Sequence, residues 1–524
     1  MHEGVSFLPL TWPDMLNMAP ELCLAAVFLL LVVADLLLPQ KVSRLSIGWV
    51  TVAGLLASAG FVVYRLIQLQ DDGREAGQVI ELLGASYVVD QFASLLKLVF
   101  LAGTVLAALM ALGSVKQDKD ITDRAELFYL LLPAAIGAMI MASSGNLVTL
   151  YIGLELLSIT SYVLVALRRR SSKSAEAAFK YVVTGGISSA FILFGMSYLY
   201  GLTGSVDLGD FRTALPEAMA SYPALMYVGF FFLIAGFAIK IAAAPFHAWA
   251  PDVYQGAPTP VSAFLAVVSK GAALTAVLRI VYNSAFFISG GGGGGGAKPV
   301  GNDVYLALLV LAAAAMLVGT TAALRQRQMK RLLALSGVAN AGYLLVPIGL
   351  NFTSVHSSNI SEFIFYLFVY LLMTMGAFAV LTVISRAAGH EELKGFSGLY
   401  YRAPWTAAAM VVFVLSLAGL PVSGGFFAKL FILMGAASAK IYWLVAIMVV
   451  SSVISYYFYF SIIRQMFMRS SSEEESEIRV SVPTGIVIWL CAGGIVVLGL
   501  MPGPLLDWIQ AIFSIRGDLF IGMG

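Results

Sequence analysis

Gly236-Phe-Ala-Ile-Lys240 and Gly425-Phe-Phe-Ala-Lys429 repeat one pattern, Gly-Phe-x-x-Lys, deep inside apolar sequence. The second copy lies in a stretch that Pro421 and Gly424 also interrupt. A lysine at mid-bilayer depth costs ~2.5–3.5 kcal/mol on insertion scales and more in simulations, so it needs a reason to be there. The two lysines are 189 residues apart (429 − 240), each beside a helix-disturbing sequence. That arrangement predicts a duplicated membrane unit that handles charge, either protons or small cations.

The surrounding chain fits this reading. Of 524 residues, 60% are hydrophobic and 11% charged, and the mean hydropathy is +0.90; a soluble chain of this length does not look like that. A span needs about 20 apolar residues, because ~30 Å of hydrocarbon divides by a rise of 1.5 Å per residue. Fourteen stretches qualify: 20–39, 46–68, 91–113, 125–143, 146–167, 175–201, 222–247, 259–283, 303–324, 329–350, 358–386, 404–435, 441–468 and 481–501. They must be helical, since open strands leave backbone groups unsatisfied in lipid.

Charge orients the helices. Most of the 31 lysines and arginines lie in loops after odd-numbered helices, among them Arg168, Arg169, Arg170, Lys173, Arg325, Arg327, Lys330 and Arg331. The termini and the even loops carry only Arg74, Arg212, Lys298, Lys440 and Arg516. Odd loops are therefore expected in the cytoplasm and both termini outside. The basic residues follow this rule and give no sign of nucleic-acid binding. The first 19 residues have no basic n-region, so no cleavable signal is expected. Cys23 and Cys491 sit in apolar spans without Cys-x-x-Cys spacing and are expected to be buried, inert thiols.

The spacing of helices suggests two units of five, helices 4 to 8 and helices 9 to 13, related by an odd number of helices and so expected to be inverted in the membrane. The expected division is 1–124 for helices 1 to 3, 125–283 for the first repeat, 284–302 for a Gly-rich outside loop, 303–468 for the second repeat and 469–524 for a loop, helix 14 and the C-terminus. Under this shift Lys240 falls on Lys429, Glu155 near Asn340 and Lys270 near Ser455. The Gly290 to Gly296 run reads as a flexible connector, because no Lys-Ser/Thr or helix start follows it. Ser470 to Glu477 reads as a polar cytoplasmic loop, 202–221 as a solvated outside loop, and 505–514 as a segment along the membrane surface.

Glu155 is the clearest buried acid, near the middle of 146–167. Burial raises a carboxyl pKa unless a cation restores the charged state. A relay acid and a neutral, hydrogen-bonded acid holding two helices both stand. Lys240 is its natural partner, and changing their separation would load or unload a proton; a purely structural pair is the alternative. Pro245 supplies no N–H to its helix, which makes the segment after Lys240 interruptible. Lys270, at the centre of 259–283, is too deep for its stem to reach either surface and is the expected next station. Lys429 follows the break at Gly419-Leu-Pro-Val-Ser-Gly-Gly425. His247 titrates near neutral pH and serves either as a relay or as an interfacial helix cap. Lys180, four residues after Glu176, is either an ion-paired snorkelling lysine or part of the relay. Lys97 lies outside the repeats, where a partner contact or snorkelling is expected. Tyrosines and phenylalanines in the spans read as packing.

Four segments resemble the antiporter-like membrane subunits of proton-pumping NADH–quinone oxidoreductase, complex I, in the subunit N branch. They are Tyr151-Ile-Gly-Leu-Glu155 through Ala166, Ser174-Ala-Glu-Ala-Ala-Phe-Lys-Tyr181, Lys240-Ile-Ala-Ala-Ala-Pro-Phe-His-Ala-Trp-Ala-Pro-Asp-Val-Tyr-Gln-Gly-Ala-Pro258 and Gln328-Met-Lys-Arg-Leu-Leu-Ala-Leu-Ser336. The resemblance implies an all-α polytopic membrane protein of about fourteen helices, with helices 7 and 12 broken. It implies functional roles for Glu155, Lys180, Lys240, His247, Lys270 and Lys429. It implies a translocase subunit in a bacterial plasma membrane that holds no cofactor or metal itself. Flavin, iron–sulfur clusters and quinone are expected in partner subunits, with other antiporter-like subunits as neighbours. A subunit of a multi-subunit cation/proton antiporter, which shares the fold, is the alternative. The glycine run departs from the family pattern.

Overall fold

The structure, a computed structural model, describes residues 11–39, 43–71, 79–289, 299–350, 359–468, 478–512 and 521. The Gly290–Gly296 run, the Ser470–Glu477 loop, and Arg74, Lys298 and Arg516 of the charge count lie outside these residues. Among the described residues, thirteen helices are long and apolar enough to cross a membrane. In chain order they are α1 (Ala19–Leu37), α2 (Leu45–Gln68), α3 (Gln91–Ser114), α4 (Arg124–Ala142), α5 (Leu147–Val165), α6 (Ser172–Thr203), α7 (Pro223–Lys240), α8 (Thr259–Ile288), α9 (Val300–Ala323), α10 (Met329–Gly349) and α11 (Asn359–Ala388), followed by α13 (Tyr442–Met468) and α14 (Val482–Leu500). The twelfth stretch is two shorter helices, α12a (Pro404–Ala418) and α12b (Gly424–Ser438). All fourteen apolar stretches are therefore occupied by helix, and the chain is a multi-pass, all-α membrane protein.

Burial separates a core from a rim. The chain itself covers 94% of the apolar stretch of α8, 100% of α10 and 94% of α11, against 22% of α1 and 33% of α13. Three helices thus sit out of reach of lipid, and they carry most of the polar chemistry described below.

Three elements differ from their sequence-based outlines. α7 stops at Lys240 and not at 247, because Ala242 takes a left-handed φ of 56° and Pro245 has no N–H to continue the ladder. A short connector helix, Trp249–Gly256, follows before α8. The segment 202–221, expected to be a solvated outside loop, includes the helix Phe211–Ser221, whose Phe211 and Leu215 are fully buried. A small antiparallel hairpin, β1 (Ile80–Leu82) and β2 (Tyr87–Val89), precedes α3. Cys491 is buried and Cys23 only partly so.

The Gly-Phe-x-x-Lys pattern has a packing reason. Gly and Lys at i and i+4 share one helix face. A Cβ on Gly236 would lie 2.9 Å from Ile192 N and 3.0 Å from Ser188 O of α6; one on Gly425 would lie 2.0 Å from Ser416 O of α12a. Each glycine lets a helix close on its neighbour one turn before its lysine. The lysine is thereby directed inward.

Candidate functional site

Lys240 is the last residue of α7, and its Nζ donates to Ser158 Oγ of α5 at 2.7 Å. Ser158 in turn donates to Leu154 O at 2.6 Å. Glu155 lies one turn before Ser158 and acts on Lys240 through space, but the serine hydroxyl takes the direct contact. The buried Oε1 of Glu155 has no hydrogen-bond partner. Beyond Ser158, Lys240 Nζ lies 5.9 Å from the centre of the Tyr162 ring. Tyr162 packs edge-on to Tyr181, with centroids 4.8 Å apart. The Tyr181 hydroxyl lies beside Ser161 and Ser269, and Ser269 immediately precedes Lys270.

Lys270 is 3% exposed. It follows a π-helical turn, Leu265–Ser269, which adds a residue to the ladder of α8; such turns concentrate at functional sites. Its Nζ donates to Gly337 O of α10 at 2.7 Å. From there polar groups continue through the core. Ser336 Oγ and Tyr459 OH are 2.5 Å apart. Asn340 Nδ2 donates to Ser336 O at 2.8 Å, and Tyr366 OH donates to Asn340 Oδ1 at 2.7 Å. The Tyr366 ring stacks on Tyr343 with centroids 6.2 Å apart.

Lys429 closes this row, with Nζ 5.0 Å from the centre of the Tyr343 ring. It donates to Leu417 O at 2.8 Å and Ala418 O at 3.1 Å. Those carbonyls end α12a, so the ammonium caps a helix C-terminus, where a cation is favoured. Gly419 permits this approach twice over. Its φ is +80°, and a Cβ there would sit 2.8 Å from Lys429 Cδ.

The remaining expected residues lie to the side. His247, in the break after α7, is partly exposed, and its buried Nδ1 has no hydrogen-bond partner; no hydrogen bond joins it to Lys240 or Lys270. Lys180 bridges Glu176 and Asp252, at 2.6 Å from each, and Asp252 also binds Arg331 of α10. This clasp ties α6, the connector helix and α10 together. Lys97 departs from its expected partner contact or snorkelling. It is 4% exposed, 2.8 Å from Glu21 Oε1 and 2.7 Å from Tyr87 OH. The β1–β2 hairpin brings Tyr87 over α3 and α1 supplies the acid, so the charge is neutralised within the chain.

Sequence reasoning also missed Ser336, Tyr343, Tyr366 and Tyr459, whose spacing on their helices looks like packing. Asn340 alone had a signal, as the position onto which Glu155 maps. Among the described residues, no group of three or more His, Cys, Asp or Glu is placed to hold a metal.

The family model for the NADH:quinone oxidoreductase/Mrp antiporter membrane region matches residues 144–455, the segment that contains every lysine of this row. The chain belongs to that family of antiporter-like membrane subunits. Its relatives place it further, in the subunit N branch. NADH-quinone oxidoreductase subunit N of Paenibacillus sp. (strain JDR-2) is 69% identical, over 98% of this chain and 99% of that one. Subunit N of Brevibacillus brevis is 46% identical, over 96% of each. Among solved structures, a chain of respiratory complex I from Thermus thermophilus with bound aureothin is similar at 30% identity and a TM-score of 0.75, covering 93% of this chain and 98% of that one. A chain of the Mrp complex from Dietzia sp. shares the fold at 21% identity and a TM-score of 0.80, over 97% and 98% of the two chains. These findings agree with the resemblance carried by residues 151–166 and 240–258.

Proposed function

We propose that the chain is the proton-translocating subunit N of a membrane-bound NADH–quinone oxidoreductase, with Lys240, Lys270 and Lys429 as its proton carriers. One observation supports this above others. Each of the three ammonium groups is buried or half-buried and contacts only neutral acceptors: a serine hydroxyl, a backbone carbonyl, and a pair of helix-end carbonyls. Lys97 differs, with the Glu21 carboxylate at 2.8 Å, and it stays charged as long as that acid is ionised. A neutral acceptor tolerates both the ammonium and the amine, so a proton can come and go without breaking the contact.

In this reading, protons from the basic-loop end load Lys240 while Glu155 sets its charge, and His247 exchanges with water at the break in α7. They pass by Tyr162, Tyr181 and Ser269 to Lys270, then by Ser336, Asn340, Tyr366 and Tyr343 to Lys429 and the outside. The Lys180–Asp252–Arg331 clasp holds the loading side in place. Residues 125–283 and 303–468 act as two inverted units, both termini face outward, and the membrane is the bacterial plasma membrane. Moving each charge outward costs ~2.3 kcal/mol per 100 mV. That energy comes from redox chemistry in partner subunits, which hold the flavin, the iron–sulfur clusters and the quinone.

Glu155→Gln and Lys240→Ala are expected to lower proton pumping and coupled NADH oxidation in membranes where the complex assembles normally. Pumping at the full rate in both variants would reject the relay.

A further inference from the structure

The loops that follow α3, α5, α7, α9 and α11 converge at one end of the bundle around a cavity of ≈ 890 Å³. A water molecule occupies ~30 Å³ of liquid, so this vestibule holds many. Charges of both signs line it, including Asp118, Lys119, Arg168, Lys173 and Glu391. Glu391 is unlike the others, because its carboxylate reaches inward. Its Oε1 is 2.7 Å from Nζ of Lys330, whose side chain is 0% exposed. Lys330 was counted as a loop charge in the topology; it is instead sealed in the core.

The backbone fixes this pair. Met329 N donates to Glu391 O at 2.9 Å and Leu393 N to Arg327 O at 2.8 Å, which stitches the segment after α11 to the start of α10. Lys330 therefore stands in the first turn of α10, where the helix dipole disfavours a cation. Its other contact is the neutral Ala257 O, at 2.8 Å. The ammonium thus depends on the Glu391 carboxylate for its counter-charge. Arg168 NH1 also faces Glu391 Oε1, at 3.7 Å, while Asp118 holds Arg168 Nε at 2.7 Å. His390 and Glu392 flank Glu391 in the same cavity wall.

Resting on the relay reading above, we propose that Glu391 is a second proton entrance, a carboxylate that takes protons from the vestibule and joins the relay at Lys270 alongside the entrance at Lys240. The Glu391 carboxylate accepts a proton from vestibule water and becomes neutral. Lys330, stripped of its counter-charge, releases one ammonium proton inward as an amine. The carboxyl proton then crosses to that amine and restores the ion pair, so one proton has moved in. Lys330 and Gly337, seven residues apart, lie on one stripe of α10 about two turns from each other. Lys270, resting on Gly337 O, is the acceptor that this stripe leads to.

The test uses the purified, intact complex and follows NADH-driven quinone reduction with and without acetate, a small weak acid able to ferry protons into a cavity. Glu391→Gln is expected to slow turnover by about tenfold, less than the ~10²–10⁴ that a sole proton-transfer group contributes because the Lys240 entrance stays open, and acetate should restore at least half of the lost rate while leaving the parent unchanged. Turnover at the parent rate, or a slow rate that acetate does not move, overturns the assignment. If Glu391→Gln does not assemble, Glu391→Asp keeps the charge but retracts it from Lys330. A slowed rate recovered by acetate then supports the entry role, and any other result overturns it. Lys270→Met in parallel separates the two ideas. A fast Lys270→Met complex removes the interior relay itself, whereas a slow one beside a fast Glu391→Gln removes only this entrance.

Discussion

Lys270→Met complexes are expected to assemble normally and to lose nearly all proton pumping, with coupled NADH oxidation down by at least about tenfold. Methionine matches the length and flexibility of lysine and removes a buried charge from a site that is 3% exposed, so folding should not suffer. What disappears is the ammonium that follows Ser269 and donates to Gly337 O. Lys270→Arg makes the sharper comparison. Arginine keeps the positive charge but does not give up its proton, so a carrier role predicts loss equal to that of methionine, while a purely electrostatic or packing role predicts retention. Pumping assays in inverted vesicles decide between them, and full activity in either variant would end the assignment of Lys270 as a carrier.

Asp90→Ala is expected to be the most damaging single change outside the lysine row. One carboxylate oxygen of Asp90 accepts from Ala93 N at 2.5 Å and caps α3, while the other binds Arg279 of α8. Both side chains are essentially unexposed, at 1% and 0%. Arg279 also donates to Ala142 O at the end of α4, at 2.9 Å. Removing the acid breaks this buried pair from one side, at a cost of about 3–5 kcal/mol. The readout is the fraction of the subunit recovered in assembled complex and the midpoint of its thermal unfolding. Adding Arg279→Met should recover part of that loss. A single variant as stable as the parent would show that the pair carries no net stability.

The helices were legible because span length and hydropathy are properties of contiguous sequence. The break in α12 was legible for the same reason, since Gly419, Pro421, Gly424 and Gly425 announce it locally. The end of α7 was half legible. Pro245 marks the region, but the stop at Lys240 depends on the φ of Ala242, which nothing in an alanine run reveals. Glu155, Lys240, Lys270 and Lys429 stood out as ionisable residues in apolar surroundings. Their contacts did not, because a partner such as Gly337 O is backbone and leaves no mark on composition. Ion pairs were the least legible part. Glu21 with Lys97, Asp90 with Arg279 and Glu391 with Lys330 each join distant segments, and only the fold makes them neighbours. Tyr343 and Tyr366 were hidden differently, since a tyrosine packed by its ring also presents a hydroxyl.

The extra residue in Leu265–Ser269 sets a phase relation along α8. Each residue advances an α-helix by about 100°, so deleting one of the five would leave an unbroken, regular ladder while swinging Lys270 by roughly that angle relative to Thr259–Phe264. A shorter and more conventional helix would then aim its ammonium away from α10. The irregularity is what lets one helix satisfy two differently oriented neighbours at once.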